Sequence, residues 1–145
     1  MVTIDRGTGG IRVRRYLVVE DCGVVINPQV VDGQVRGGVS QGIAAALYER
    51  LIYDEDGQPL TATLADYLAP TAAEICSIEI VHSETPSRFS ETGAKGMGEG
   101  GMIGAPAAVL NAVNEALEPA GVPFDHIPVL PEDVLSALMG PRGDR

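Results

Sequence analysis

A chain of 145 residues, of which 45% are apolar, is long enough to fold as one domain around its own core. Its 20 acidic and 10 basic residues give a formal net charge of −10, which disfavours binding to nucleic acid or to an anionic membrane surface. No apolar run reaches the roughly 18 residues of a membrane span, and the N-terminus lacks the order of a signal peptide. We therefore expect a single cytoplasmic domain over residues 1–145, with a frayed tail at 140–145.

The N-terminal half predicts a strand followed by a long helix. Residues 11–19 are rich in β-branched side chains and are bounded by glycine-containing turns, which favours a strand. From Pro28 to Leu47 the apolar residues follow i, i+4 steps, which is typical of a helix with one buried face. Glycines within a helix lower its intrinsic stability, so they indicate close packing against a sheet, a helix or a ligand. This segment contains Gly33, Gly37, Gly38 and Gly42.

The C-terminal half adds a hairpin, a strand and two helices. Residues 51–64 contain an Asp-Gly turn between two short apolar runs, which predicts a β-hairpin, and residues 75–82 predict a further strand. Helices are predicted over 105–117, with Pro106 in the first turn, and from Pro131 onward. Strands and helices do not alternate as strict β-α-β units. The pattern therefore predicts the α+β class, with a mixed sheet and packed helices.

A glycine-rich segment at 93–104, G-A-K-G-M-G-E-G-G-M-I-G, surrounds a single carboxylate, Glu99. Glycines permit positive φ angles and allow a ligand to approach the backbone closely. Glu99 is therefore a candidate general base facing a bound substrate. The alternative is a surface loop whose acid caps the helix that follows.

Residues 96–101 also satisfy the pattern G-x-G-x-x-G of dinucleotide-binding folds. That fingerprint requires a strand that runs directly into the first glycine, whereas the polar segment 83–95 precedes it here. A phosphate-binding loop is excluded as well, because Lys95 precedes the glycines instead of following them. The pattern match therefore does not indicate a nucleotide site.

Residues 33–42, G-Q-V-R-G-G-V-S-Q-G, place Gln34 and Gln41 among glycines. Amide side chains both donate and accept hydrogen bonds and could bind a polar ring system. The alternative is a tightly packed helix with exposed amides. His82 and His126 lack the partner spacing of a metal site or a catalytic triad, and no metal ligands are predicted. The two cysteines, Cys22 and Cys76, are expected to be free thiols in a reducing compartment.

Several segments occur together in an order that resembles the molybdenum hydroxylase family. This family comprises the molybdopterin-binding large subunits of xanthine dehydrogenases, aldehyde oxidases and aerobic carbon monoxide dehydrogenases. The resemblance runs from about Ile11 to Leu138. Its motifs are D-C-G-V-V-I-N-P (21–28), G-Q-V-R-G-G-V-S-Q-G (33–42), Y-D-E-D-G (53–57), D-Y-L-A-P (66–70), E-T-P (84–86) and the glycine segment continued as G-A-P-A-A-V-L-N-A-V to residue 113.

The resemblance implies a C-terminal molybdopterin-binding domain and a set of site residues. Glu99 matches the family's catalytic glutamate, a general base that activates a water-derived nucleophile. Gln34 matches the glutamine that contacts oxygens of the molybdenum cofactor, and Gly98 would let the pyranopterin approach the backbone. The cofactor implied is molybdopterin in its cytosine dinucleotide form. The substrate would be an aldehyde, an N-heterocycle or a similar small molecule, or carbon monoxide.

The resemblance covers only the C-terminal end of the family's large subunit, so we expect this chain alone to be a partial active site. The implied partners are the remaining N-terminal part of the large subunit, an iron–sulfur subunit and an FAD subunit. Two alternatives remain open at the level of sequence. The chain could be a non-catalytic remnant or scaffold module of the same family, or a stand-alone domain that binds a small molecule.

Overall fold

The computed structural model describes residues 1–121 and 123–139, so the tail predicted to fray lies outside the described residues. Short strands and helices are mixed along the chain, and the predicted α+β class is confirmed. In chain order the elements are β1 (Val2–Ile4), β2 (Ile11–Val13), β3 (Tyr16–Glu20), α1 (Pro28–Leu47), β4 (Ile78–His82), α2 (Gly100–Ile103), α3 (Ala105–Leu117), a 3₁₀ turn (Glu118–Ala120) and α4 (Pro131–Met139).

The strands form two separate two-stranded sheets. β1 and β2 pair as an antiparallel hairpin, whereas β3 and β4 pair in parallel, from Tyr16 opposite Ile78 to Glu20 opposite His82. The single strand predicted over 11–19 is therefore divided between the two sheets. The division falls at Arg14 and Arg15, where the terminal amine of Met1 donates a hydrogen bond of 2.9 Å to the Arg15 carbonyl. A backbone bond from Arg14 N to the Met1 carbonyl, also 2.9 Å, completes this junction.

The hairpin predicted over 51–64 is wrong as a pair of strands, although its turn forms. Asp54 accepts hydrogen bonds from the backbone N–H groups of Asp56 and Gln58, and Gly57 has a φ of +80°. Beyond the turn, only an isolated bridge between Tyr53 and Pro59 remains. An isolated two-stranded hairpin is marginal in water, and the apolar residues on both sides of this turn are exposed instead of packed on a sheet.

The core lies between α1 and α3, and the predicted bounds of both helices are confirmed. Asn27 caps α1 by accepting a hydrogen bond of 3.2 Å from Val30 N, and Pro28 occupies its first position. From Val35 onward the i, i+4 series on α1 is buried, as is the corresponding face of α3, whereas Val31 is partly buried. The fully buried valines and isoleucine of these two faces are Val35, Val39, Ile43, Val109 and Val113.

Three glycines allow α1 to pack directly on the backbone of α2 and the start of α3. A Cβ atom placed on Gly101 would lie 2.4 Å from the carbonyl oxygen of Val35. On the other side of the contact, a Cβ on Gly38 would lie 2.8 Å from Met102 N, and one on Gly42 would lie 2.4 Å from the Cβ of Ala105. Such separations are not possible for real atoms, so side chains larger than hydrogen would push the helices apart.

The contrast between two glycines of α1 gives a test of this packing. Gly42→Ala is expected to lower the free energy of unfolding by about 1–3 kcal/mol, because the added methyl group overpacks the contact with Ala105. Gly37→Ala, on the same helix with nothing within 4 Å of its Cβ position, is expected to raise it by about 0.5–1 kcal/mol. Urea denaturation of both variants measures the difference. Equal effects of the two substitutions would contradict close packing at Gly42.

Candidate functional site

The loop that leads to Glu99 is attached to the end of β3. Lys95 N donates a backbone hydrogen bond of 2.7 Å to the carbonyl of Cys22, and Val24 N donates one of 3.1 Å to the carbonyl of Gly93. The Lys95 ammonium group also lies 2.9 Å from Asp21 Oδ2. This ammonium and the N–H groups of Gly23 and Thr85 hold the pKa of the Asp21 carboxyl well below its usual range. These hydrogen bonds and the ion pair therefore hold the N-terminal end of the glycine segment against the residues that follow β3.

Glu99 lies at the turn that begins α2. Its backbone carbonyl accepts a hydrogen bond of 2.9 Å from Met102 N, which starts the short helix. Its side chain is exposed and makes no hydrogen bond to the first turn of α2. The structure therefore does not show the carboxylate capping the helix. The carboxylate is therefore accessible from solvent.

Gln34 lies on the exposed side of α1, next to the point where α1 meets α2. Its neighbour Val35 supplies the carbonyl group that Gly101 contacts, and Glu99 is two residues before Gly101. The structure thus brings together the two glycine segments that carry Gln34 and Glu99. Gln41 is also exposed but lies two turns further along α1.

Eight of the ten glycines in the two segments fall into two groups with different roles. Gly38, Gly42 and Gly101 allow the helices to pack, as described above. The expectation that the glycines clear space for a ligand therefore does not hold for these three. The second group faces open space, with no atom within 4 Å of the position a Cβ would occupy. Its members in the two segments are Gly33, Gly37, Gly96, Gly98 and Gly104.

A histidine between two carboxylates lies at the carboxyl ends of β3 and β4. His82 Nδ1 is hydrogen-bonded to Glu20 Oε1, and its Nε2 lies 2.9 Å from Asp32 Oδ1 in the first turns of α1. Glu20 is 7% exposed, and its second oxygen, Oε2, is buried without a hydrogen-bond partner among the described residues. Both imidazole nitrogens can donate only when the ring is protonated, so the geometry favours the imidazolium form.

The lack of metal-site or triad spacing at His82 does not exclude structural partners, since both of its ring nitrogens are hydrogen-bonded to carboxylates. Hydrogen bonds to Glu20 and then to Asp32 raise the pKa of His82. Burial raises the pKa of the neighbouring Cys22 thiol, and the charge of Glu20 adds to that rise. The sequence contains one signal for this cluster, since His82 ends one predicted strand and Glu20 directly follows the other. Only the parallel register of those strands, which sequence does not specify, places them side by side.

Other predicted features have simpler surroundings. Cys22 and Cys76 are free thiols, as predicted. His126 Nδ1 lies 3.4 Å from Oδ1 of its neighbour Asp125, and its ring packs edge-to-face against Phe124. Within residues 1–121 and 123–139, no cluster of three or more His, Cys, Asp or Glu side chains is arranged to hold a metal ion. No helix of this part of the chain is long and apolar enough to cross a membrane.

One concave surface among the described residues lies away from both glycine segments. It has a volume of about 480 Å³ and is formed by the start of the chain, the end of α3 and α4. Neither Gln34 nor Glu99 lines it. The candidate site is defined as Gln34, Gly98 and Glu99, and all three residues are exposed.

Comparison with known proteins gives relatives of one kind. Residues 1–76 match the family described as the molybdopterin cofactor-binding domain. The nicotine 6-hydroxylase large subunit of Paenarthrobacter nicotinovorans is 50% identical over 140 residues, which are 97% of this chain and 17% of that protein. The carbon monoxide dehydrogenase large chain of Hydrogenophaga pseudoflava is 39% identical over 128 residues, or 88% of this chain and 16% of the relative.

A solved structure agrees with these relatives. Quinoline 2-oxidoreductase from Pseudomonas putida 86 superposes with a TM-score of 0.92 and 48% identity, covering 95% of this chain and 18% of that one. The fold is thus that of a cofactor-binding domain from a molybdenum-dependent oxidoreductase. The chain belongs to the molybdopterin cofactor-binding domain family, of the xanthine dehydrogenase type. It spans less than a fifth of the length of these relatives.

The raised pKa of His82 predicts a pH-dependent contribution to stability. A histidine whose pKa is higher in the folded than in the unfolded state stabilises the fold fully below its unfolded value, about 6.5. That stability is lost as pH rises through the folded value. His82→Gln is therefore expected to lower the free energy of unfolding more at pH 5.5 than at pH 9.

Urea denaturation across this pH range measures the effect, with His126→Gln as the matched control. The control is expected to show a smaller change that varies less with pH, since the half-exposed His126 lies beside one exposed carboxylate, that of Asp125, and otherwise packs edge-to-face on Phe124. A cost of His82→Gln that stays constant or grows with pH would contradict the charged arrangement of the cluster.

Proposed function

We propose that this chain is the part of a molybdenum hydroxylase large subunit that carries the general base and one side of the cofactor-binding surface. The observation that supports this most directly is the position of Glu99. Its carboxylate is exposed and makes no capping hydrogen bond. It also follows Gly98, whose surroundings are empty, on a turn that packs against the helix carrying Gln34.

The residues present are compatible with a bulky cofactor. Around Gly33, Gly37, Gly96 and Gly98 the backbone is uncovered, so a pyranopterin could approach main-chain groups that any larger side chain would shield. The Gln34 amide, exposed beside two of these glycines, would donate to or accept from cofactor oxygens. When bound, the molybdenum cofactor supplies the two-electron oxidation and the oxygen transfer of this reaction class.

Glu99 would contribute by accepting a proton from the water-derived nucleophile. A general base must lie within hydrogen-bond reach of the proton it removes, and the Glu99 side chain is exposed within the described part of the chain. The backbone of its turn is fixed on one side by α1, through Gly101, and on the other by the bond from Lys95 to Cys22. An exposed carboxylate on a fixed backbone is suited to this role, because its position does not depend on the ligand.

We further propose the surroundings in which this chain works. The names of its relatives, a large subunit and a large chain, support smaller partner subunits, to which we assign the iron–sulfur clusters and FAD. We propose the cytosine dinucleotide form of the cofactor. The names of the two relatives at 50% and 48% identity refer to nicotine and quinoline, which supports an N-heterocyclic substrate. Free thiols at Cys22 and Cys76 support a reducing compartment, the cytoplasm.

The role of Glu99 is tested by Glu99→Gln in the enzyme assembled with the rest of a large subunit and its redox partners. Turnover is expected to fall about 10²–10⁴-fold, because an amide cannot accept the proton. Glu115→Gln, which changes an exposed carboxylate on α3, is the matched control and is expected to retain activity. If Glu99→Gln turns over like the unchanged enzyme, with equal molybdenum content, Glu99 is not the base.

The cofactor-binding surface is tested by Gly98→Val and Gln34→Ala. Both are expected to lower the molybdenum content of the purified enzyme about tenfold, the first by filling space and the second by removing hydrogen bonds. Neither should destabilise the isolated chain, since nothing lies within 4 Å of the Gly98 Cβ position and Gln34 is exposed. Gln29→Ala, an exposed amide on the same helix, is the control. Full molybdenum content in both variants would contradict this surface.

A further inference from the structure

The β3–β4 sheet has one covered face and one uncovered face. Tyr16, Val18 and Ile80 point inward and pack against the core, together with the buried Ile78. The alternate residues point the opposite way and form what we call the outer face. Its large apolar members are Leu17, Val19 and Val81, which are 55%, 63% and 48% exposed.

The parallel register concentrates the apolar side chains of this face at one end. Val19 lies directly opposite Val81, so two exposed β-branched side chains stand side by side. At the other end Leu17 lies opposite Glu79, whose carboxylate forms an ion pair of 2.6 Å with Arg15. The outer face therefore has an apolar patch at one end and an ion pair near the other, and apolar patches bordered by polar residues are common in protein interfaces.

A parallel sheet with one uncovered face is unusual. Parallel sheets occur almost only with both faces covered, and their strands are correspondingly apolar along their length. β3 and β4 have this composition, Y-L-V-V-E and I-E-I-V-H. Neither strand pairs with any further strand among the described residues. A two-stranded sheet of this kind needs additional polypeptide to be stable.

We infer that the outer face, Leu17, Val19, Glu79 and Val81, binds the part of a molybdenum hydroxylase large subunit that lies outside residues 1–145. This inference rests on the proposed function. The outer face would be the surface on which the rest of the large subunit docks to complete the active site. The matching segment is only 17% of the nicotine 6-hydroxylase large subunit, so most of such a subunit is available to cover the face. A second copy of this chain is disfavoured, because two chains of net charge −10 repel each other.

The experiment combines the full chain with its proposed partner. A tagged form of residues 1–145 is co-expressed with the nicotine 6-hydroxylase large subunit from which the matching 140 residues have been removed. Co-purification and sedimentation then measure the complex. The unchanged chain is expected to form a one-to-one complex, and the double variant Val19→Lys, Val81→Lys to bind about tenfold more weakly or worse.

Two further variants separate binding from folding. Val19→Thr with Val81→Thr keeps the β-branched shape and removes the apolar surface, and it is also expected to weaken the complex while retaining the circular dichroism spectrum of the unchanged chain. Asp125→Lys is the control, because Asp125 is a fully exposed polar residue outside the sheet and its replacement changes the net charge by as much as the two lysines do, and it is expected to bind normally.

Three outcomes would overturn the inference. These are the absence of any complex with the unchanged chain, full binding by both double variants, and a homodimer that the valine substitutions abolish. Glu99→Gln is expected to bind the partner normally. Binding of the partner tests the docking surface, whereas turnover tests the role of Glu99, so the failure of one proposal can be told from the failure of the other.

Discussion

The direct contact between the backbone of α2 and that of α1 is the constraint on which the candidate site depends. At Gly101 the chain passes so close to the carbonyl of Val35 that no side chain fits between them. Gly38 and Gly42 meet this constraint from the other helix. Dispersion forces fall steeply with separation, so a contact made without side chains holds the two segments more rigidly than interdigitated side chains would.

Several polar contacts extend this fixed region to the sheet. Arg36 donates a hydrogen bond of 2.7 Å to the carbonyl of Ile78, which joins the middle of α1 to the start of β4. At the other end of the same strand, His82 connects Glu20 to Asp32. The helix that carries Gln34 is thus held at two points, while the side chain of Gln34 itself stays exposed. Rigid support beneath an open surface is what precise placement of a ligand requires.

The distribution of apolar residues supports a domain that belongs to a larger assembly. One face of α1 and one face of α3 form a well-packed core, yet residues 51–68 and the outer face of the β3–β4 sheet expose many large apolar side chains. Monomeric proteins rarely leave such patches uncovered. The chain matches only 17% and 18% of the length of two of its relatives. Exposed apolar surface is what we expect of a domain that packs against other parts of such a protein.

Local patterns in the sequence determined the two main helices, since the i, i+4 spacing, the cap at Asn27 and the first-turn proline Pro106 depend only on neighbouring residues. They also singled out Glu99 and Gln34 as candidates. Tertiary structure alone decided which strands pair and in which direction, and therefore that Glu20 and His82 meet. It also decided which glycines serve packing and which face open space, because both kinds share the same local sequence. Only contacts between distant segments separate Gly101 from Gly98.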